Sequence, residues 1–367
     1  MMIDLFVVII VCLFLSNQIE IKCGRYSNIQ EGIKKSKTVW ILYVILVLIL
    51  VVFSGVRTTY NDTETYMESY KFLNTGEINL FTLFKPYGGF IIFETLLKKF
   101  ISENPQTLIL ISSLVVNVIF LYFYAKYSKY FMLTVFSYLI LGTYIFSMAG
   151  IKQIMAMSIS LFAIEALLNK NYGKFLIWLL IAMTFHPYII CLVIIPLFKE
   201  GVWNRKIIIT IVGVILVVAN LEILLNLAGM IGKDYTIEEM TNYTVNPMRV
   251  MIEMIPVVFS AWCRKRINKQ NNEMLNMSIN MMVINALMIS LGLFLNPIYF
   301  ARIGTYFSVL NAIAIPTMLN VMYQGNEHRR VNILIYYSFY FVYFVLDLTK
   351  LGTFSITYDL FNHIKIF

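Results

Sequence analysis

The chain has 367 residues, of which 59% are hydrophobic and only 13% are charged, and this composition is far from that of a soluble globular protein. Repeated apolar runs of about 17 to 25 residues match the length that a helix needs to cross a bilayer. The net charge of +9 falls largely in short linkers between these runs. It is therefore a signal of membrane topology and requires no nucleic-acid partner.

The apolar runs predict an all-α, polytopic membrane helix bundle of about 10 to 12 spans, forming a single integral membrane domain of residues 1–367. We place the runs at 3–16, 38–56, 106–125, 131–147, 153–168, 174–198, 207–230, 250–263, 274–296, 303–322 and 331–346.

The basic linkers give the orientation, because cytoplasmic loops retain positive charge. The first linker contains Lys22, Arg25, Lys34, Lys35 and Lys37, so it is predicted inside and the N-terminus outside. Later basic linkers fall inside only if run 174–198 is a broken or re-entrant pair of half-helices that turns at residues 185–187. The C-terminus is then outside.

Two segments between runs are predicted on the outer side. Segment 57–105 contains GGFIIFETLLKKF at residues 88–100, where apolar side chains recur at helical spacing. We predict an interfacial helix there, lying on the outer leaflet. Segment 231–249 is a shorter, acidic and polar outer loop.

This orientation brings several polar groups to the outer membrane boundary. They are Arg57, Asp62, Lys152, Gln153, His186, Arg302 and Asp347. Each one alone is well explained by a side chain that snorkels to the interface. Three cations around a shared outer cavity would instead indicate a bound anion.

His186 lies between Phe185 and Pro187 at the predicted helix break. A lone histidine among apolar residues most often packs with a satisfied hydrogen bond, and Pro187 frees a carbonyl that it could bond. The alternative is proton transfer in a cavity.

No cofactor or metal site is predicted. The four cysteines, Cys12, Cys23, Cys191 and Cys263, have no spacing suited to a metal. The histidines form no cluster with carboxylates at ligand spacing. There is no nucleotide-binding glycine pattern, no GxSxG and no HExxH.

An ordered set of short motifs resembles the EpsG family, a branch of the Wzy-type polysaccharide polymerases. Its elements are Gly55-Val56-Arg57 followed by Asp62-Thr63-Glu64-Thr65-Tyr66, then Lys152-Gln153 with Ala156, Phe185-His186, and Arg302 with Tyr306-Phe307. Two elements depart from the family pattern. Lys152 stands where the family has arginine, and the usual Glu-x-Gly-Phe appears as residues 85–90, KPYGGF.

The resemblance implies a GT-C-like fold and a glycosyltransferase that joins undecaprenyl-diphosphate-linked oligosaccharide repeat units. The reaction would occur at the outer face of a bacterial cytoplasmic membrane, for capsule, O-antigen or exopolysaccharide. A flippase and a chain-length regulator of the same pathway are implied as possible partners.

Site roles follow from the resemblance as expectations. Arg57, Lys152, Gln153 and Arg302 would bind the diphosphate or sugar. The three cations would also stabilise the charge that develops on the leaving diphosphate, which makes Arg57 a candidate catalytic residue. His186 or Asp62 would orient or deprotonate the acceptor hydroxyl, although Asp62 could instead only pair with Arg57. Tyr60, Tyr66, Tyr87 and Tyr306 are candidate sugar-stacking rings, or members of an interfacial aromatic belt.

Two rival functions remain open from sequence. A flippase or transporter of lipid-linked sugar would share this hydropathy, but it needs a charged path to both leaflets. A membrane acyltransferase would need a catalytic histidine on the cytoplasmic side, where only His328 is predicted.

Overall fold

A computed structural model of the chain describes residues 2–76, 80–220, 239 and 243–350. These residues form helices, turns and irregular connections with no strand among them, which confirms the predicted all-helical membrane bundle. Within this part of the chain, seven helices are long and apolar enough to cross a membrane. An eighth span results if the bent pair Phe131–Ile140 and Thr143–Ala149, with 44° between its members, is counted as one.

The chain, predicted as one integral membrane domain, divides into two compact units. The first comprises Met1–Ile190 and Arg330–Phe367, and the second comprises Cys191–Arg329. The first ten helices are α1 (Met2–Cys23), α2 (Ile29–Lys35), α3 (Lys37–Gly55), α4 (Thr63–Phe72), α5 (Gly88–Phe100), α6 (Gln106–Tyr127), α7 (Phe131–Ile140), α8 (Thr143–Ala149), α9 (Ile151–Leu168) and α10 (Tyr172–Phe185).

The remaining helices begin after residue 200. They are α11 (Arg205–Ala219), α12 (Pro247–Trp262), α13 (Arg264–Lys269), α14 (Glu273–Leu291), α15 (Pro297–Phe307), α16 (Asn311–Met322) and α17 (Arg329–Lys350), the last of which returns the chain to the first unit. Short 3₁₀ helices cover Leu80–Phe84, Pro187–Phe198 and Ser308–Leu310.

Asparagine and serine caps start several of these helices. Asn28 accepts a hydrogen bond from the Glu31 N–H at the start of α2, and Ser36 accepts one from Val39 at the start of α3. Asn171 does the same at α10. Each cap satisfies an amide that the helix itself leaves without a partner, so these linkers stop and restart the helices sharply.

A buried polar chain connects α3, α6 and α7 in the first unit. The hydroxyls of Ser54 and Ser113 lie 2.5 Å apart, and Asn117 donates to the Ser113 carbonyl at 2.9 Å. The Tyr138 hydroxyl completes it, donating to Asn117 at 3.1 Å. Because such bonds are costly to leave unmade away from water, they fix the depth at which these helices pack.

Helix α10 ends at Phe185, and the 3₁₀ helix begins at Pro187. His186 between them has extended backbone angles, with φ −150° and ψ 112°. The proline ring lacks an N–H and biases the residue before it away from helical geometry. The break in run 174–198 therefore lies at His186, and its re-entrant path stays a prediction.

The two segments predicted on the outer side are only partly described. In segment 57–105, the predicted helix has the bounds Gly88–Phe100, while residues 77–79 lie outside the described residues. Of the loop predicted at 231–249, only residue 239 and residues 243–249 are described. Run 207–230 is described as far as Asn220, one residue after α11 ends.

Candidate functional site

Lys152, in the first turn of α9, has its ammonium group surrounded by aromatic rings. The Nζ atom lies 5.1 Å from the ring centroid of Tyr87, 5.2 Å from that of Phe90 and 5.5 Å from that of Tyr66. All three distances are within the range of cation–π attraction. The side chain remains partly exposed, so the ammonium is held in place and still open to a ligand.

Two adjacent glycines position the rings of Tyr87 and Phe90. A Cβ at Gly88 would lie 1.9 Å from the Thr82 carbonyl oxygen, and one at Gly89 would lie 2.1 Å from the Thr184 hydroxyl of α10. Only glycine allows both approaches. The sequence Tyr87-Gly88-Gly89-Phe90 thus brings the start of α5 against α10 and directs both aromatic side chains to Lys152.

The backbone of Tyr87 is strained. Its φ of 60° and ψ of 21° lie in the left-handed region, which is uncommon for a residue other than glycine. Such conformations persist where the surrounding structure enforces them, and they are concentrated at functional sites. The strain is therefore consistent with a functional role for the position of the Tyr87 ring.

Tyr66 joins α4 to the start of α9. Its hydroxyl accepts a hydrogen bond from the backbone N–H of Lys152, and its ring packs edge-on to Phe90 at 6.0 Å. The bonded N–H is one of the first-turn amides that a helix leaves free. Burial raises the pKa of Tyr66 to about 12, so its hydroxyl stays protonated at neutral pH.

His186 lies beside this aromatic group. Its imidazole contacts the Tyr87 ring edge-on at 5.4 Å and the Tyr188 ring at 5.6 Å. Phe185, the preceding residue, packs against Phe93 of α5 at 6.4 Å. The end of α10 and the start of α9 therefore meet at the same end of the first unit, around α5.

Glu94 of α5 is a buried carboxyl group one turn after Phe90. The residue is 3% exposed, and its Oε1 atom has no hydrogen-bond partner among the described residues. Burial raises the pKa of Glu94 to about 7, and the positive charge of Lys152 opposes that rise. The Glu94 carboxyl is thus shielded from water and interacts electrostatically with the Lys152 ammonium.

Arg57 lies inside the turn between α3 and α4. It is 1% exposed, its Nε donates to the Thr63 hydroxyl at 3.1 Å, and its Nη1 donates to the Ser54 carbonyl. Gln106 braces the same turn by donating to the carbonyls of Gly55 and Arg57, at 2.7 and 3.0 Å. The guanidinium is thus part of the buried turn and not of the surface.

The other predicted residues of the first unit occupy different surroundings. Asp62 is exposed at the start of α4, and its side chain forms no capping bond there. Gln153 is buried, at 5% exposure, directly after Lys152. Asp347, near the end of α17, acts electrostatically on Tyr60, whose pKa is raised mainly by burial.

Arg302 and Tyr306 belong to the second unit, on α15. Arg302 is exposed, whereas Tyr306 one turn later is fully buried, at 0% exposure. A Cβ at Gly304 between them would lie 2.9 Å from the Met288 Cβ, so α15 packs closely on α14 there. Burial leaves the Tyr306 ring no free face for a sugar, and Arg302 remains open to solvent.

Sequence reasoning missed Glu94 and gave Phe90 only the role of a helix-face residue. The signal for Glu94 was one acidic residue within the apolar stretch 88–100, four positions after Phe90 and three before Leu97. That spacing puts it on the face that α5 buries. Helix α5 buries Gly89, Phe90, Glu94 and Leu97 in the protein, and its position on the outer leaflet stays a prediction.

The site offers no group of metal ligands. Across the described residues, no three His, Cys, Asp or Glu side chains come together in a way that would hold a metal ion. The chemistry available around Lys152 is that of a cation, aromatic faces, an imidazole and a carboxyl group.

The helix bundle and this cluster define a polytopic membrane protein with a cationic, aromatic site at one end of its first unit. The family model described as the EpsG family matches residues 40–360. Because the match covers most of the chain, the protein belongs to the EpsG family, which suggests a polymerase-type glycosyltransferase of polysaccharide synthesis. No curated protein and no solved structure matches the chain.

Proposed function

We propose that the protein joins undecaprenyl-diphosphate-linked oligosaccharide repeat units at the outer face of a bacterial cytoplasmic membrane, as a Wzy-type polymerase of capsule, O-antigen or exopolysaccharide. The observation that carries the proposal is the Lys152 ammonium, held by Tyr66, Tyr87 and Phe90 yet still partly exposed. Family membership supplies the class of reaction.

Lys152 would bind the diphosphate of the donor. The ammonium is a compact charge on a flexible stem, so it can leave the rings and donate to phosphate oxygens. A charge-assisted bond to the leaving diphosphate stabilises the negative charge that develops as the glycosidic bond breaks. Once uncovered, the rings of Tyr87 and Tyr66 offer faces on which a sugar can pack.

His186 would hold the acceptor unit. Its ring touches Tyr87, so a sugar on that aromatic face lies within reach of the imidazole. Near neutral pH an imidazole both donates and accepts hydrogen bonds. Asp62 is exposed and lies about one turn of α4 before Tyr66. Its negative charge contributes to the raised pKa of Tyr66. That Arg302 binds the donor diphosphate stays a prediction.

The direct test uses purified protein and lipid-linked repeat units extracted from cells that lack it. Wild-type protein should produce a ladder of chain lengths on a gel and release undecaprenyl diphosphate. Lys152→Gln should abolish the ladder, while Lys152→Arg should retain it because a guanidinium keeps the charge and stacks on the rings. Lys99→Gln, at an exposed lysine of the same outer segment, is the matched control.

Two results would overturn the proposal. One is transfer of the lipid-linked units across a vesicle bilayer without any change in their length, which would identify a flippase. The other is an unchanged ladder from Lys152→Gln protein that elutes like the wild type.

A further inference from the structure

The Oε1 atom of Glu94 is buried and has no hydrogen-bond partner among the described residues. A buried oxygen without a hydrogen bond costs about 1 to 3 kcal/mol, and native proteins contain few of them. Its neighbours on the buried face of α5 are apolar or glycine, apart from Thr95, whose hydroxyl bonds the Ile91 carbonyl. An uncharged side chain would avoid the cost of burying a carboxylate, so the acid calls for a chemical explanation.

The position of Glu94 relates it to the Lys152 ammonium. Phe90 lies one turn earlier on the same helix face, and its ring centroid is 5.2 Å from the Lys152 Nζ. The positive charge of Lys152 also stabilises the ionised carboxylate. The two groups are therefore electrostatically coupled, and an anion that binds Lys152 changes the pKa of the Glu94 carboxyl.

We infer that Glu94 is the proton acceptor of the polymerisation reaction and removes the proton from the acceptor sugar's hydroxyl as that oxygen attacks the donor. The inference rests on the proposed function and deepens it, because it assigns a catalytic residue that the sequence motifs do not contain. It replaces Asp62, which is exposed, and leaves His186 as the residue that orients the acceptor.

The step balances without any further reagent. The acceptor oxygen forms a bond to the anomeric carbon of the growing chain, while the bond from that carbon to the diphosphate oxygen breaks. Undecaprenyl diphosphate leaves with the bonding electron pair, and the hydroxyl proton passes to the Glu94 carboxylate. The next catalytic cycle begins when that proton is lost to solvent.

Donor binding strengthens the base in this arrangement. When the Lys152 ammonium moves from the rings onto the diphosphate, it gives up part of its attraction for the Glu94 carboxylate. A carboxylate with less positive charge near it has a higher pKa and takes up a proton more readily. The pKa of about 7 in the unliganded protein is already near the value suited to a general base at neutral pH.

The low exposure of Glu94 also protects the donor. A carboxylate open to bulk water would activate water, and the lipid-linked chain would be hydrolysed. At 3% exposure, the Glu94 carboxyl is largely shielded from bulk water. Water exclusion of this kind is a recognised means of preventing side reactions.

Few other titratable groups face Glu94. Lys152 comes from α9, and Tyr66 and Tyr70 come from α4. Tyr87 precedes α5, and His186 follows α10 against Tyr87. The 3₁₀ helix Leu80–Phe84 brings no ionisable side chain, and the first turns of α6 bring only uncharged ones. The pH test therefore varies His186 alongside Glu94.

The experiment compares wild type, Glu94→Gln, Glu94→Asp and Glu68→Gln in the ladder assay, together with equilibrium binding of undecaprenyl diphosphate. Glu68 is an exposed carboxylate on α4, and its replacement should leave the rate unchanged. Glu94→Gln should lower the rate by about 10² to 10⁴, as expected when a general base is lost. Binding of undecaprenyl diphosphate should stay within about threefold, because Lys152 is intact.

The pH profile separates a base from a packing residue. The wild-type rate should fall as the pH drops below about 7, the residual rate of Glu94→Gln should lack that fall, and Glu94→Asp should keep it. His186→Gln should keep it as well, since the base is still present.

Some outcomes would refute the assignment. A Glu94→Gln rate within about threefold of wild type would refute it, as would an unchanged fall of the rate below pH 7 in that variant. If Glu94→Gln does not fold, a Glu94→Asp rate that lacks the fall below about pH 7 refutes it. If wild-type protein makes no ladder at all, the proposed function itself fails and the inference falls with it.

Discussion

Replacement of Glu94 by glutamine should stabilise the folded protein in a way that depends on pH. Glutamine has nearly the same shape and cannot ionise. The pKa of Glu94 rises from its ordinary value of 4.5 to about 7 on folding, chiefly because the carboxyl is buried. The folded state therefore binds more protons than the unfolded state between these values, and wild-type stability must fall as the pH rises through them.

The size of the effect follows from the same shift. One pKa unit corresponds to about 1.4 kcal/mol, so the full penalty above pH 7 is roughly 3 kcal/mol. At about pH 5 less than a third of it has been incurred. The stabilising effect of Glu94→Gln should thus be roughly 2 to 3 kcal/mol larger at about pH 8 than at about pH 5. Any cost of the new amide is the same at both values and cancels in the difference.

Thermal unfolding of detergent-solubilised protein measures this difference. The melting temperature of Glu94→Gln minus that of wild type should be clearly larger at the higher pH. Glu68→Gln is the matched control on the neighbouring helix and should follow the wild-type dependence on pH. An equal gap between Glu94→Gln and wild type at both pH values would show that the carboxyl is not held in a dry site, and the reasoning would be wrong.

Three further predictions concern packing and charge. Gly89→Ala should lower stability by about 1 to 3 kcal/mol, because its Cβ would overlap the Thr184 side chain. In the same thermal assay the control Gly213→Ala, with nothing within 4 Å of its Cβ, should be neutral or stabilising. Equal melting temperatures for the two variants would contradict the close approach of Gly89 to Thr184. Gln106→Ala should cost about 1 to 3 kcal/mol, because it removes the two hydrogen bonds that the Gln106 amide donates to the carbonyls of Gly55 and Arg57, and an unchanged denaturation midpoint would refute this. Arg302→Ala should leave the melting temperature within about 1 °C of wild type, since the side chain is exposed, yet shorten the polysaccharide ladder. A normal ladder would contradict the predicted role of Arg302 in donor binding.

Local sequence was sufficient for the class of protein and for much of its helix pattern. Apolar length alone predicts a membrane helix, since a backbone in hydrocarbon must satisfy its own hydrogen bonds. The helix at residues 88–100 and the break at His186 also follow from local rules, namely helical spacing and the missing N–H of Pro187. The motifs around Lys152, Tyr66 and His186 sufficed to indicate the EpsG family, which the family match over residues 40–360 confirms.

Tertiary packing decided what each charged group can do. Arg57 and Lys152 look alike in sequence as cations at span ends, yet the first is enclosed in a turn and the second remains partly exposed beside three rings. Glu94 looks like one more charge in an amphipathic helix, until α5 packs against α10 and buries it. The electrostatic character of an ionisable group depends on the solvent and charges around it, and long-range contacts supply both. Sequence therefore determined that the chain contains helices able to cross a membrane. Only the folded structure distinguished the Lys152 ammonium beside the rings and the buried Glu94 carboxyl from Arg57, whose charge is enclosed in a turn.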